Sequence, residues 1–251
     1  MSIEADKIIA VRTGKTIYKD GNTVLKVFDS DYSKSDILNE ALNQARIEET
    51  GLNVPGLLEV FMADGKWVLR SEFIEGKTMQ RLMDENPEKY SQYLEEFVDI
   101  QKDIFSHEAP LLNKLKDKMN RKISMSGLDA TLRYDLHTRL DSLPTHKKIC
   151  HGDFNPSNII LKPDGTYYVL DWSHVTQGNA SADAARTYLL FWLSGRIDQA
   201  EEYLDMFCKK TDTAKQYVQE WMPIVAASQL VKGKAAEREF LLQWVNVIDF
   251  E

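Results

Sequence analysis

The stretch that decides the fold runs His151-Gly152-Asp153-Phe154-Asn155-Pro156-Ser157-Asn158, and Asp171-Trp172 follows it thirteen residues later. A predicted hairpin of two short strands joins the two motifs. An Asp and an Asn five positions apart on a tight, proline-containing loop can face one point, and the hairpin can return a second Asp to that point. The pattern therefore predicts one site that contains Asp153, Asn158 and Asp171.

The residue types at this predicted site suit phosphoryl transfer from a nucleotide. That reaction needs a carboxylate that orients and deprotonates an acceptor hydroxyl, and oxygen ligands for the Mg²⁺ that bridges the phosphates. His, Asp and Asn also cluster in ordinary surface turns, which is the alternative interpretation. Eight ordered positions and the second Asp favour the chemical one, so we expect ATP and Mg²⁺ as cofactors and a small molecule with a hydroxyl group as acceptor.

The same loop resembles that of the aminoglycoside phosphotransferase and choline kinase family, which belongs to the wider protein-kinase-like fold. The kinase pattern H-R-D-L-K-P-E-N aligns with it, with Gly152 in place of Arg and Asn155 in place of Lys. H-G-D and D-W are similar to the small-molecule branch of that fold. The resemblance implies a kinase whose catalytic base is Asp153, with Asn158 and Asp171 as metal ligands and His151 as a structural residue beneath the metal loop.

The predicted elements agree with this two-lobed α+β fold. Five short strands and one helix, capped by Ser33 or Ser35, precede Gly76. The first three strands are predicted over Lys7–Arg12, Thr16–Tyr18 and Thr23–Phe28. Beyond Thr78 the apolar spacing is helical, apart from the hairpin. We expect a small antiparallel-sheet lobe with one helix over residues 1–76 and a larger, mostly helical lobe over 77–251, which meet at a hinge and share a cleft.

The N-terminal segment offers an independent check, because a kinase-like fold requires a Lys on the third strand, an acid on the next helix, and a hinge. Val24-Leu25-Lys26-Val27-Phe28 resembles the lysine strand, and Glu40 is the best partner for Lys26. Glu48 and Glu49 lie nearer the helix end, and a solvated face is the alternative for all three acids. By the same resemblance, the carbonyl of Glu72 and the amide of Ile74 meet the adenine.

One departure from the kinase pattern concerns the phosphates. No G-x-G-x-x-G lies between the first two predicted strands, where the sequence has only Thr13-Gly14-Lys15-Thr16. A short loop can still hold phosphates by its amides or a hydroxyl, so these four residues are candidates, and a plain hairpin turn is the alternative. The missing glycines also keep open a second function, a catalytically silent nucleotide-binding protein.

The segment after Asp171 bears on the substrate. Asp183 follows Asp171 by only twelve positions, and no A-P-E follows, so a peptide-docking activation loop does not fit. The resemblance implies that Asp183 braces the catalytic loop through backbone amides. The alternative interpretation is that Asp183 is an acidic residue at the N-terminus of a helix, where the helix dipole favours a negative charge.

Composition and charge exclude several classes of protein. The net charge of −8 argues against nucleic-acid binding, and no apolar run is long enough to span a membrane. The first residues carry acids where a secretory signal needs basic residues, and two cysteines make no disulfide framework, so we expect a cytoplasmic protein. The acidic C-terminal quarter, 198–251, favours a cationic acceptor such as an aminoglycoside or an amino alcohol, or is simply a solvated surface. No particular oligomeric state is predicted.

Overall fold

The computed structural model of the chain describes residues 6–246. Its strands are β1 (Lys7–Arg12), β2 (Lys15–Asp20), β3 (Thr23–Phe28), β4 (Leu57–Ala63), β5 (Lys66–Glu72), β6 (Lys77–Thr78), β7 (Lys148–Cys150), β8 (Ile159–Leu161), β9 (Tyr167–Val169) and β10 (Thr176–Gly178). Its α-helices are α1 (Lys34–Glu48), α2 (Met79–Glu85), α3 (Tyr90–Ser106), α4 (Leu115–Met125), α5 (Ala130–Ser142), α6 (Ala180–Leu193), α7 (Ile197–Thr211), α8 (Lys215–Gln219), α9 (Met222–Leu230) and α10 (Ala235–Val245). Within the described part, each helix is too short or too polar to span a bilayer.

The chain divides into two compact units. Unit 1 contains the described residues up to Pro87 together with Pro156–His174, and unit 2 contains Glu88–Asn155 and the residues from Val175 onward. The segment Pro156–His174 belongs to unit 1 because it contributes to a small sheet there, in which β8 pairs with both β6 and β9. The predicted lobe boundary at Gly76 divides the chain at one position of the sequence, whereas the two units are defined by contacts between residues. That boundary stays a prediction.

The main sheet of unit 1 has the strand order β1-β2-β3-β5-β4, and all its neighbours are antiparallel. Alternate side chains of a strand point to opposite faces. Leu25 and Val27 of β3 therefore pack with Val68 in one core cluster. Phe28 packs with α1 on the other face, and the same alternation directs Lys26 toward α1.

Helix α1 is positioned by its cap and its apolar stripe. Ser33 is the cap, because its Oγ accepts a hydrogen bond from the Asp36 backbone N–H at 3.4 Å. Ile37 and Ala41 are buried against the sheet. Glu40 shares that face, since residues three and four apart on a helix are neighbours. The face of α1 that packs on the sheet thus also holds the Glu40 carboxylate in a buried position.

Several strands differ from the sequence prediction. The second strand is predicted over Thr16–Tyr18, but β2 spans Lys15–Asp20, because it is paired on both sides and so includes its charged ends. β6 and β7 are not predicted, and neither is β10. Its three residues pair antiparallel with β7, which ends one residue before His151, and such a short strand has no periodicity of its own.

Aromatic residues form much of the core of unit 2. Phe154, the fourth residue of the His151–Asn158 loop, stacks on Phe97 of α3 with ring centroids 4.4 Å apart. Phe191 and Tyr203 pack edge-on or tilted around them. Phe154 is fully buried, so the loop is anchored in the core by its own side chain.

Candidate active site

Lys26 lies at the centre of an ion-pair cluster in unit 1. Its Nζ donates a hydrogen bond to Glu40 Oε1, and it lies 3.4 Å from Asp171 Oδ1. The side chains of Lys26 and Glu40 are only 20% and 9% exposed. The two residues paired by the sequence analysis are therefore in contact, while their role toward a nucleotide stays a prediction.

The neighbouring carboxylates keep Lys26 protonated. Burial alone would lower the pKa of Lys26, but the charges and hydrogen bonds of Asp171 and Glu40 raise that pKa above its ordinary value. Lys15 adds a second ammonium group, with its Nζ 3.6 Å from Glu40 Oε2. Ammonium groups that suit phosphate oxygens thus lie beside carboxylates that suit a metal ion.

Thr13 and Gly14 form the turn between β1 and β2. Gly14 has φ +74°, and a Cβ there would lie 2.9 Å from the Tyr32 ring, so both conformation and space favour glycine. Thr16 pairs with residues of β1 and β3 within the sheet. Of the four predicted phosphate-binding candidates, Lys15 is the one with a contact to the Lys26 cluster among the described interactions.

Asp171 and Asn158 are adjacent in unit 1. The Leu170 backbone N–H donates to the Asn158 carbonyl at 2.8 Å, which fixes the residue before Asp171 against the end of the loop. Asp171 adopts φ +61°, a left-handed conformation that is uncommon for any residue except glycine. Directly after Asp171, the residues Trp172–His174 pack against α1, so the helix that carries Glu40 also supports the Asp171 segment.

The donor set of these two residues fits Mg²⁺. A carboxylate and an amide offer the hard oxygen atoms that this ion prefers, and Mg²⁺ keeps waters and phosphate oxygens as its other ligands. In the described part of the chain, no group of three or more His, Cys, Asp or Glu side chains could hold a metal. The oxygen atoms of Asp171 and Asn158 fit a Mg²⁺ ion whose other ligands are waters and phosphate oxygens, and their role as metal ligands stays a prediction.

The predicted adenine-contacting segment follows the end of β5. The backbone N–H of Glu72 donates to Gly56 O, and its carboxylate accepts from Gly56 N–H, both at 2.9 Å. Phe73 N–H donates to Asn22 O at 2.9 Å. Ile74 follows β5 after one residue and is partly buried. These bonds fix the segment on both sides, and its contact with adenine stays a prediction.

The first residues of the His151–Asn158 loop belong to unit 2 and are held by Asp183. Asp183 Oδ2 accepts from His151 N–H at 3.1 Å, and its Oδ1 accepts from Gly152 N–H at 2.6 Å. His151 is fully buried, and its Nδ1 faces the Asp153 backbone N–H at 3.2 Å. Burial raises the pKa of Asp183, although interactions with His151 and Gly152 act in the opposite direction.

Asp183→Asn is expected to lower the free energy of unfolding by about 1–3 kcal/mol, because an amide nitrogen would face a backbone N–H that now has a carboxylate acceptor. Denaturant unfolding measures this loss, and Asp135→Asn on the exposed surface of α5 is the control. Equal stability of the two variants would show that Asp183 does not brace the loop.

Asp153 lies beside a buried cation that the sequence analysis missed. Arg186 Nη2 is 3.8 Å from Asp153 Oδ1, and Arg186 Nε approaches Gly152 O at 3.4 Å. Arg186 Nη1 donates to Gln229 Oε1 at 2.7 Å, and Gln229 Nε2 donates to Glu237 Oε2 at 2.6 Å. A polar network that runs from α10 through α9 and α6 thus reaches the predicted base.

A signal for Arg186 exists in the sequence, since it lies three residues after Asp183 and shares its helix face. Gln229 has no such signal, because α9 is mostly apolar and meets α6 only through the fold. The helical spacing of Tyr188, Phe191 and Trp192 predicts three core residues. Tyr188 and Phe191 are buried, whereas Trp192 is only partly buried.

Comparison with solved structures identifies the fold. A thermostable mutant of aminoglycoside phosphotransferase APH(4)-Ia in its apo form is 16% identical, with a TM-score of 0.69 over 95% of this chain and 91% of that chain. Choline kinase LicA from Streptococcus pneumoniae is 16% identical, with a TM-score of 0.63 over 99% and 95%. Aminoglycoside phosphotransferase APH(3'')-Id from Streptomyces rimosus is 15% identical, with a TM-score of 0.63 over 86% and 91%. The predicted two-lobed, kinase-like α+β fold is confirmed.

Two further structures of these proteins contain nucleotides. One is a ternary complex of an APH(4)-Ia mutant with ADP and hygromycin B, and the other is LicA with AMP. No curated protein matches the chain with statistical significance. The model of the phosphotransferase enzyme family (APH) matches residues 11–221. That match covers most of the sequence, including both Lys26 and the Asp153 loop. The chain therefore belongs to the phosphotransferase enzyme family, and the predicted class of a kinase with an alcohol group as acceptor is confirmed.

Proposed function

We propose that this protein transfers the γ-phosphoryl group of Mg·ATP to a hydroxyl group of a small molecule. The observation that carries the proposal is the ion-pair cluster of Lys26 with Glu40 and Asp171 in unit 1. A strand lysine held by a helix glutamate, next to a metal-binding aspartate, is the arrangement by which kinases position a nucleotide. The family and the nucleotide complexes of the structural neighbours support the same activity.

In this proposal, unit 1 binds the nucleotide. The ammonium group of Lys26 contacts the α- and β-phosphates, and Glu40 keeps that group in place. Mg²⁺ bound by Asp171 and Asn158 would neutralise the charge of the phosphate oxygens. Amides of the Thr13–Gly14 turn, with Lys15 and Thr16, contact the phosphates in place of a glycine-rich loop, and the backbone of Glu72 and Ile74 contacts the adenine.

Asp153 is the proposed general base. Its carboxylate accepts the proton of the acceptor hydroxyl while the hydroxyl oxygen forms a bond to the γ-phosphorus. The bond between that phosphorus and the oxygen bridging to ADP breaks, and ADP leaves with the bridging oxygen. His151 and Asp183 hold the loop, and Arg186 orients the Asp153 carboxylate. We place this reaction in the cytoplasm, because Cys150 and Cys208 are free thiols.

The second candidate is a silent nucleotide-binding protein, which the missing glycine pattern favours. Silent relatives of kinases are expected to lose a metal ligand or the strand lysine, and this chain has Lys26, Asp153, Asn158 and Asp171. The two candidates differ in slow transfer of the γ-phosphate to water, which only the enzyme carries out in a Mg²⁺-dependent way.

A screen for ADP formation tests the proposal. Purified protein is incubated with ATP and a panel of hydroxyl compounds, with Mg²⁺ or with a chelator. We expect ADP formation that requires Mg²⁺ and that an acceptor raises above the slow rate of hydrolysis, with phosphorylated product matching that increase by mass spectrometry. Binding of Mg·ATP without any ADP formation, including slow hydrolysis, would favour the silent protein.

A further inference from the structure

A line of polar contacts within unit 2 joins helix α10 to the predicted base. Glu237 of α10 accepts a hydrogen bond from Gln229 Nε2 at 2.6 Å, and Gln229 Oε1 accepts one from Arg186 Nη1 at 2.7 Å. Arg186 Nη2 lies 3.8 Å from Asp153 Oδ1. Arg186, Gln229 and Glu237 together form the α10 network, which connects α6, α9 and α10.

The turn between α9 and α10 places Glu237 against Gln229. Helix α9 ends at Leu230, and Gly233 N–H donates to Leu230 O at 3.0 Å. Gly233 has φ +68°, a left-handed conformation that favours glycine just beyond a helix end. Helix α10 begins two residues later and packs against α9, with Glu237 in its first turn. Lys234 Nζ donates to Glu237 Oε1 at 2.7 Å, which holds the far end of the α10 network.

A glutamine suits the place between Arg186 and Glu237. A guanidinium group only donates hydrogen bonds and an ionised carboxylate only accepts them, whereas a side-chain amide does both. The two charged neighbours therefore fix the Gln229 amide, with its oxygen toward Arg186 and its nitrogen toward Glu237. A glutamate in this place would face Glu237 with a like charge, and a lysine would face Arg186 with a like charge.

Burial makes the orientation of Arg186 depend on this amide. Arg186 and Gln229 are both buried, and a buried charge is costly unless it is paired and hydrogen-bonded. Gln229 Oε1 and, at 3.4 Å, Gly152 O are acceptors for the Arg186 guanidinium. Because that group is planar and rigid, a hydrogen bond that fixes Nη1 also fixes the direction of Nη2, the atom beside Asp153.

We propose that Gln229 and Glu237 are positioning residues, which hold Arg186, and through it the Asp153 carboxylate, in the orientation that phosphoryl transfer needs. This inference rests on the proposed function, in which Asp153 is the general base. It gives α10 a role in turnover that acts through Arg186 and involves no contact with the nucleotide. The competing outcome is that the α10 network only stabilises the packing of α9 and α10.

Gln229→Leu tests the link between the α10 network and turnover. Transfer from Mg·ATP is measured to water and to the most active compound of the hydroxyl panel. We expect kcat to fall roughly tenfold to a hundredfold, because displacement of a reacting group by about 1 Å can cost about 10²-fold. The KM of ATP should stay unchanged, since the proposed nucleotide site lies in unit 1. Gln243→Leu, at an exposed position of α10, is the control, and equal kcat values in the two variants would overturn the inference.

An exchange of two side chains tests the network as a unit, and it also serves if Gln229→Leu fails to fold. Gln229→Glu alone brings two carboxylates together and should lower kcat. Adding Glu237→Gln restores alternating donors and acceptors, so kcat should return close to the parent value. The matched control adds Glu239→Gln instead, which has the same composition but changes an exposed residue of α10. Equal kcat values in the two double variants would overturn the inference.

A double-mutant cycle separates failure of this inference from failure of the kinase function. Denaturant unfolding is measured for the parent, Asp153→Ala, Gln229→Leu and the double variant, without nucleotide or acceptor. Residues of one hydrogen-bond network interact, so the change in unfolding constant of the double variant should differ at least about twofold from the product of the single changes. Additive effects would overturn the inference whether or not the protein is a kinase. Absence of ADP formation by the parent would overturn the proposed function and leave this coupling standing.

Discussion

Asp153→Asn is expected to lower kcat by about 10²–10⁴-fold, the contribution of general-base catalysis, with little change in the Kd of Mg·ATP. The amide keeps an oxygen that can face Arg186 but cannot take the proton of the acceptor hydroxyl. In the proposed mechanism Asp153 contacts the acceptor and not the nucleotide. The substitution should therefore lower kcat and leave the Kd of Mg·ATP almost unchanged.

Single-turnover kinetics and nucleotide calorimetry on the same preparation measure the two effects. Asp135→Asn on the exposed face of α5 is the control for loss of one carboxylate. Parent-level turnover in Asp153→Asn would exclude Asp153 as the base. A large loss of Mg·ATP affinity would instead assign Asp153 to the nucleotide site.

The second large effect is expected from Lys26→Ala. Removing Lys26 leaves the Glu40 carboxylate, only 9% exposed, without its closest cation. Breaking a buried pair in this way costs about 3–5 kcal/mol, and we expect the lower end because Lys15 remains 3.6 Å from Glu40. At about 2–4 °C per kcal/mol for a chain of this size, Tm falls by roughly 6–12 °C.

Lys26→Ala should also reduce the stabilisation by nucleotide. A ligand that binds only the folded protein adds about 2.7 kcal/mol at a hundredfold excess over Kd, so Mg·ATP should raise the Tm of the parent. The rise in Lys26→Ala should be much smaller when measured from its own unliganded Tm. Lys7→Ala, at an exposed position of β1 in the same sheet, is the control.

A full Mg·ATP shift in Lys26→Ala, at nucleotide levels below saturation for the parent, would mean that Lys26 does not contact the phosphates. The Asp153 loop could still be catalytic in that case. A fall in unliganded Tm with a normal nucleotide shift would assign Lys26 a purely structural role beside Glu40. The two readouts therefore separate stability from binding.

Elements with strong local periodicity were predictable from the sequence. β1 and β3 have the predicted bounds, because alternating side chains in a sheet leave a period of two. Helix α1 follows from its apolar spacing and from a serine cap, although only the structure distinguishes Ser33 from Ser35. The contact of Lys26 with Glu40 also follows from these two periodicities, since each places its residue on the face shared by strand and helix.

Contacts between distant segments were not predictable in the same way. β10 has three residues, and its pairing with β7 depends on where the chain returns after Asp171. Gln229 meets Arg186 because α9 packs on α6, and neither helix encodes the other's position in its own pattern. Residues that act through such contacts have no signal in a single sequence unless a motif happens to contain them.

The sequence was enough to identify the family and to predict the chemistry of this protein. The ordered residues from His151 to Asn158, followed by Asp171, form a short pattern that is recognisable whatever surrounds it. The folded chain was needed to show which cation lies beside the predicted base. Arg186 is 33 positions after Asp153 in the sequence, and its Nη2 lies 3.8 Å from Asp153 Oδ1. Electrostatic interaction depends on distance in space and not on separation along the chain, so the fold decided which residues form this pair.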